Sequence, residues 1–135
     1  LNAVSPFAGF RNFGLDNFRL SDAAFETIFN AAVAENLPWL ETLWLPRNSL
    51  GPASLGLIGA AANLQVLALS QNPGVTDLAP LIGLTKLNQL YLNGTGVADL
   101  EPLRTMYDAG CFHGQYAQVH CYGVFPDAAP NAGQQ

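Results

Sequence analysis

Near the end of this sequence, four residues able to do chemistry fall close together: Cys111-x-His113 and His120-Cys121. Thiolate and imidazole are the ligands that structural zinc favours, so the residue types fit a zinc site. They also fit a Cys111–Cys121 disulfide stapling a short end of the chain, or two buried thiols. Neighbours in a strand point to opposite faces, so in a regular strand His120 and Cys121 would not meet on one ion. The disulfide is therefore the expectation, with no metal and no cofactor. A nucleophilic pair of Cys111 with His113 lacks a visible third partner. No Ser lies in a nucleophile elbow and no Gly-rich phosphate loop follows a strand, so the chain reads as a non-enzyme.

A second chemical signal is Asn93-Gly94-Thr95, an acceptor triplet for an N-linked glycan at Asn93. With the disulfide it favours an extracellular or cell-surface location, a cytoplasmic one being the alternative. A third is a pair of large amphipathic aromatics, Trp44 and Tyr91, with Arg47 close to the first. These residue types are enriched at binding hot spots, whereas an exposed Trp without a partner is a cost. The plainer alternative is that Trp44 lies against Arg47 or a neighbouring arm.

The elements that must hold these residues are set by a repeat. Leu40-x-x-Leu43-x-Leu45-x-x-Asn48-x-Leu50 is followed by Leu64-x-x-Leu67-x-Leu69-x-x-Asn72 with Val75, then by Leu87-x-x-Leu90-x-Leu92-x-x-Thr95-x-Val97. The starts at Leu40, Leu64 and Leu87 are almost evenly spaced. A steady period of this size marks stacked supersecondary units, none of which buries its apolar face alone. Phe10-x-x-Phe13-x-Leu15-x-x-Phe18-x-Leu20 keeps the spacing with Phe18 in place of Asn, and reads as a degenerate first unit.

The pattern resembles the leucine-rich repeat. The long stretch from Phe10 to Leu40 resembles the ribonuclease-inhibitor type, and the matching runs Val75–Leu81 and Val97–Leu103 resemble the internalin type. The resemblance implies an α/β solenoid of about four repeats over residues 10–103. It has a short parallel sheet on the concave side and helical or 3₁₀ arms on the convex side. Residues 1–9 read as an N-terminal cap or linker, 104–126 as a C-terminal cap, and 127–135 as a tail.

The chain in order supports that plan. Ser21 to Asn36 is the clearest helix: Ser21 caps it, Asp22 suits its positive end, and Phe25, Ile28, Phe29, Ala32 and Val33 form one stripe. Pro38 ends it. The arm from Gly51 reads as a short helix weakened by two glycines. The arm at Asp77–Ile82 reads as no more than one 3₁₀ turn, broken by Pro80; the arm Asp99–Leu103 matches it closely, and Met106 to Gly110 reads as finishing a helical turn. Asp77 and Asp99 recur at the same place in successive units, which marks them as turn caps. Gln115 to Phe125 reads as one or two strands covering the last unit.

Strand alternation then gives the solvent-facing columns. They are Asn12, Thr42, Val66 and Gln89; Gly14, Trp44, Ala68 and Tyr91; and Asp16, Pro46, Ser70 and Asn93, with Arg47 and Gln71 just beyond. In the family these positions resemble the usual partner-contacting set. The candidate partner-binding residues are Thr42, Trp44, Arg47, Val66, Ser70, Gln71, Gln89, Tyr91 and Asn93.

Composition narrows the partner. Net charge is −5, and the five basic residues are scattered, so no stripe exists to displace counterions from nucleic acid. No apolar run approaches the ~18 residues of a membrane span. The start at Leu1 reads as a processed or truncated product. Half of the residues are hydrophobic and only 11% are charged, so part of the surface is expected to be covered. The expected function is a protein-interaction module that binds through its concave face. The alternative is a structural subunit or fragment packed permanently in a larger assembly or surface coat.

Overall fold

The computed structural model describes residues 11–30 and 39–121. The described strands form one sheet: β1 (Asn12–Gly14), β2 (Thr42–Trp44), β3 (Val66–Ala68), β4 (Gln89–Tyr91) and β5 (Gln118–His120). They pair side by side in chain order, every pair parallel. Among the described residues three helices lie in the returning arms: α1 (Asp22–Ile28), α2 (Pro52–Ile58) and α3 (Glu101–Asp108). A 3₁₀ turn at Ala79–Leu81 fills the arm between β3 and β4.

The register places Phe13, Leu43, Leu67, Leu90 and Val119 in one row. The coils from Phe13 to Leu43 and from Leu90 to Val119 are therefore longer than the two between them. The sheet keeps one residue of each coil opposite the next, so every difference in length is taken up by the arms. Leu40, Leu64 and Leu87, then Leu43, Leu67 and Leu90, then Leu45, Leu69 and Leu92 are all fully buried. Each such leucine contributes roughly 1.5–3 kcal/mol through burial. Phe25, Leu55, Ile58, Leu81 and Met106 close this core from the arm side.

Asn side chains hold the turns after β2 and β3. Asn48 Nδ2 donates to the carbonyls of Leu15, Leu45 and Pro46, and its Oδ1 accepts from the N–H groups of Phe18 and Leu20. Asn72 repeats this one coil on, bonding Leu45 O, Leu69 O and Leu50 N. Both are buried, and the bonds satisfy main-chain groups that water cannot reach. Thr95, in the equivalent place, donates to Leu92 O of its own coil at 2.8 Å. Phe18, standing where the first coil lacks Asn, is 63% exposed and takes no part in the core.

A residue with a left-handed backbone recurs at the same place in four successive turns, Asn17, Arg47, Gln71 and Gly94, with φ of 65°, 58°, 62° and 76°; the first turn adds Arg19 at 54°. This reverses the chain while its N–H still reaches the following coil, as in Arg47 N–H to Ser70 O at 2.8 Å and Gln71 N–H to Asn93 O at 2.7 Å. Gly94 adopts this conformation without the strain a side chain would bring.

The arms show what side chains do at helix ends. Ser21 Oγ accepts from Ala24 N–H, as expected of the cap. Phe25 and Phe29 are buried and Ile28 half-buried on the expected stripe. Ala32 and Val33 lie outside the described residues, as do the expected N-terminal cap at 1–9 and the tail at 127–135. Asp22 does more than favour its own helix. Its Oδ1 accepts from Gly51 N–H at 2.8 Å and from Ser54 N–H at 3.1 Å, so it caps α2 from the neighbouring coil. Burial works against that charge, but the Ser54 hydroxyl and the backbone N–H groups of Gly51, Ser54 and Ala53 outweigh it and lower the carboxyl pKa.

Asp77 and Asp99 act as predicted, each accepting at 2.9 Å from the N–H two residues on, Ala79 and Glu101. The first of the two arms they open is the expected 3₁₀ turn, whereas the second is one continuous eight-residue helix. Pro102 lies at the start of α3, where its missing N–H costs nothing, and Arg104 to Tyr107 continue without a glycine.

The segment expected to cap the last unit adds a fifth parallel strand to the sheet. Asn88 anchors it, Nδ2 donating to Gln115 O at 2.8 Å and Oδ1 accepting from Gly114 N–H at 2.9 Å.

Candidate binding face

The sheet presents two columns of side chains away from the core. In register they run Asn12, Thr42, Val66, Gln89, Gln118 and Gly14, Trp44, Ala68, Tyr91, His120. The second column holds a row of rings. Trp44 and Tyr91 lie 5.5 Å apart between ring centroids with their planes at 59°. Tyr91 and His120 are stacked at 4.8 Å and 20°. Trp44 and Tyr91 stand on β2 and β4, and Ala68 on β3 between them is only 1% exposed. A small residue between two large ones lets the rings lean together above it. Ala68, expected to face solvent, is thus corrected to a buried spacer. The ring partner of Trp44 is Tyr91, while Arg47 is engaged elsewhere.

The sequence-predicted contact residues share this side of the molecule to different degrees. Trp44, Arg47 and Gln71 are exposed; Thr42, Val66, Ser70, Gln89, Tyr91 and Asn93 are half-buried. Arg47 makes a two-pronged ion pair with Asp16, its Nε 3.0 Å from Oδ1. Arg11 pairs with Glu41 at 2.8 Å. Gln118 and His120 belong to the face as well and were missed from sequence. Their only signal was distance: His120 follows Tyr91 at nearly the interval that separates Gly14 from Trp44.

The face divides into two halves. Around β4 and β5 the polar groups satisfy one another: the Tyr91 hydroxyl lies 3.1 Å from Gln89 Oε1 and 3.2 Å from Gln118 Oε1, and His120 Nε2 lies 2.8 Å from Gln118 Oε1. Gln89 Nε2 also donates to Tyr116 O. Around β1 to β3 the described residues offer no protein partner to the Trp44 indole N–H or to the Thr42 and Ser70 hydroxyls.

The Cys and His residues do not come together. The expected disulfide is not made, and Cys111 and Cys121 are both buried thiols. Cys111 follows the end of α3 and turns its thiol into the core, Sγ donating to Leu84 O at 3.1 Å, while Cys121 follows β5. Burial raises the Cys111 pKa over the smaller opposing pull of the Leu87 backbone bond, so the thiol stays protonated and inert. His113 lies outside the core, its ring 4.2 Å from that of Tyr107 and Nε2 2.9 Å from Tyr107 O, and His120 is on the sheet face. Among the described residues no three His, Cys, Asp or Glu side chains gather as metal ligands. No described helix is long and apolar enough to cross a membrane.

The family described as Leucine Rich repeats (2 copies) matches residues 62–105, the stretch that carries β3 and β4 with their turns and arms. The chain is a leucine-rich repeat solenoid. A comparison with curated proteins found no match. Leucine-rich repeat domains generally mediate protein–protein interaction and are typically not enzymes. In this leucine-rich repeat the consensus leucines are buried, and the side chains between them form the columns on the other side of the sheet.

Proposed function

We propose that the chain is a protein-interaction module that binds its partner through the concave sheet, with Trp44 as the central contact. The observation that carries this reading is the ring row. A Trp 42% exposed, braced by Tyr91 and surrounded by half-buried polar groups, is a preorganised contact of the kind that dominates interface energies. Tyr91 and His120 position the indole, and Thr42, Val66, Ser70 and Asn93 form the surround. The test is capture from the native source with identification of what binds. One protein should be retained by the wild type and by Arg104→Ala on α3, and lost from Trp44→Ala. A partner held equally by Trp44→Ala would move the contact off this face.

A second reading, permanent packing in a larger assembly or surface coat, draws on Phe18 and Trp39, large apolar side chains exposed at the first turns. Sedimentation of the purified chain separates the two, since a well-behaved monomer at all concentrations favours the free module. An extracellular location rests on Asn93-Gly94-Thr95, and a mass loss on endoglycosidase treatment of native material is its test.

A further inference from the structure

We propose that Asn93-Gly94 is a self-modifying site, at which the chain slowly converts an uncharged turn beside the sheet face into an anionic one. The Gly94 main-chain nitrogen attacks the carbonyl carbon of the Asn93 side chain. A new N–C bond closes a succinimide ring, the Gly94 N–H proton passes to the amide nitrogen, and ammonia departs. Water, the one co-reactant, then opens the ring at either carbonyl to give aspartate or isoaspartate.

The sequence offers this chemistry in one place. Asn93 is followed by glycine, and no other asparagine of the chain is. Glycine has no Cβ to obstruct its own nitrogen, so ring closure meets the least steric resistance there. Nucleophile and carbonyl belong to adjoining residues, so no encounter step is needed.

The fold then leaves this turn less guarded than its counterparts. Thr95 N–H closes the turn on Leu92 O at 3.1 Å, and a positive φ at Gly94 with none at Asn93 is the type II pattern. Ring closure requires the peptide between Asn93 and Gly94 to swing. In the two earlier turns the matching peptide is held at both ends. Asn48 Nδ2 donates to Pro46 O and Asn72 Nδ2 to Ser70 O, while the N–H groups of Arg47 and Gln71 donate to Ser70 O and Asn93 O. In the last turn Gln71 N–H holds Asn93 O, but the Thr95 hydroxyl is spent on Leu92 O. Among the described residues nothing accepts from Gly94 N–H, which is the nucleophile. Asn93 and Gly94 are half-buried and within reach of water, whereas Asn48 and Asn72 are buried with their amides bonded at both ends.

The turn registers either product. Both add a negative charge beside Ser70 in the third column, and isoaspartate also lengthens the main chain by one atom, which displaces Asn93 O from Gln71 N–H. The nitrogen lost as ammonia is the one that would carry a glycan in the Asn93-Gly94-Thr95 triplet, so the two fates exclude each other.

The test incubates the unglycosylated full chain in warm neutral buffer and follows it by peptide mass mapping, with isoaspartate detected by enzymatic methylation. Asn93 should convert first among the asparagines, to a mixture that contains isoaspartate. Gly94→Ala, whose methyl hinders the nitrogen and meets only the movable end of the Gln71 side chain, should slow conversion at least about tenfold. Asn93→Gln keeps an amide but demands a larger ring, so it should abolish conversion at this position even if the Gly94→Ala chain fails to fold. Thr95→Asn, which restores the amide reach of Asn48 and Asn72, should slow conversion severalfold, an effect that the Asn-Gly pair alone would not produce. Asn93 intact after the time in which a free peptide of residues 90–97 converts overturns the proposal. So does another asparagine converting first, aspartate without isoaspartate, or a rate indifferent to Gly94→Ala. A Thr95→Asn rate equal to that of the wild type overturns the part assigned to the unguarded turn.

Discussion

The first turns of this solenoid and its last full turn solve the same problem in different ways. Asn48 and Asn72 each carry an acceptor and a two-pronged donor, and each spends part of them on the coil before its own. Thr95 has a single hydroxyl, which bonds within its own coil. The arms repeat the contrast. Asp22 reaches across to cap α2, whereas Asp77 and Asp99 cap the turns they belong to. Where side chains tie coil to coil, the stack is held at its turns as well as through its sheet. Around Thr95 that tie is left to the backbone, as in Gly96 N–H to Val75 O at 2.8 Å.

Substitution can break the contrast directly. Asn72→Ala is expected to do the most damage, since it strips bonds from Leu45 O, Leu69 O and Leu50 N inside a buried turn. A loss of about 3 kcal/mol in denaturant unfolding is expected, most of it from buried groups left unpaired. Asp22→Ala should cost about 1–2 kcal/mol by removing the cap on α2. It should also flatten the acid limb of the stability curve. The folded carboxyl lies below its unfolded value, so its contribution is full above about pH 4 and disappears as pH falls through the folded value. Midpoints of wild type and variant should therefore converge toward low pH. Divergence there would mean that the Asp22 charge is not the source.

Thr95→Ala should cost about 1 kcal/mol, the worth of one bond in its own coil. A Thr95→Asn chain as stable as the wild type or more so would sharpen the comparison by supplying the missing cross-coil reach. Asp77→Ala or Asp99→Ala should cost only about 0.5 kcal/mol each, as exposed local caps. Reductant should not move the unfolding midpoint, and a fall on adding it would reveal a covalent tie between Cys111 and Cys121.

The same contrast explains how far the sequence could be read. Leucines at fixed spacing state which residues face inward, so the rows at Leu43, Leu67 and Leu90 and the columns with Trp44 and Tyr91 were legible. The fifth strand was not legible as a coil, because it offers Val119 and Cys121 where earlier coils place leucines, and backbone pairing rather than leucine defines its place. The length of α3 was hidden by Pro102, which looks like Pro80 in sequence but starts a helix that runs on to Gly110, whose left-handed backbone ends it. Cys111 and Cys121 were read through their spacing, whereas in the fold both are buried thiols of the apolar core. The leaning of Trp44 onto Tyr91 depended on Ala68, whose small size is informative only once its neighbours in the sheet are known.

The short strands set a limit on time as well as on shape. Five strands about 4.8 Å apart, each about 10 Å long, offer a flat face of roughly 190 Å². A stable complex of ordinary size covers about 800 Å² on each partner. On the proposed reading, a partner that stays must therefore wrap over the rims, past Arg47 and Gln71. A slender segment that touches the sheet alone would come and go quickly, because most differences in affinity are expressed in how fast complexes part. In that case the chain acts through repeated brief visits, and its effect follows the local abundance of its ligand more than the lifetime of any one complex.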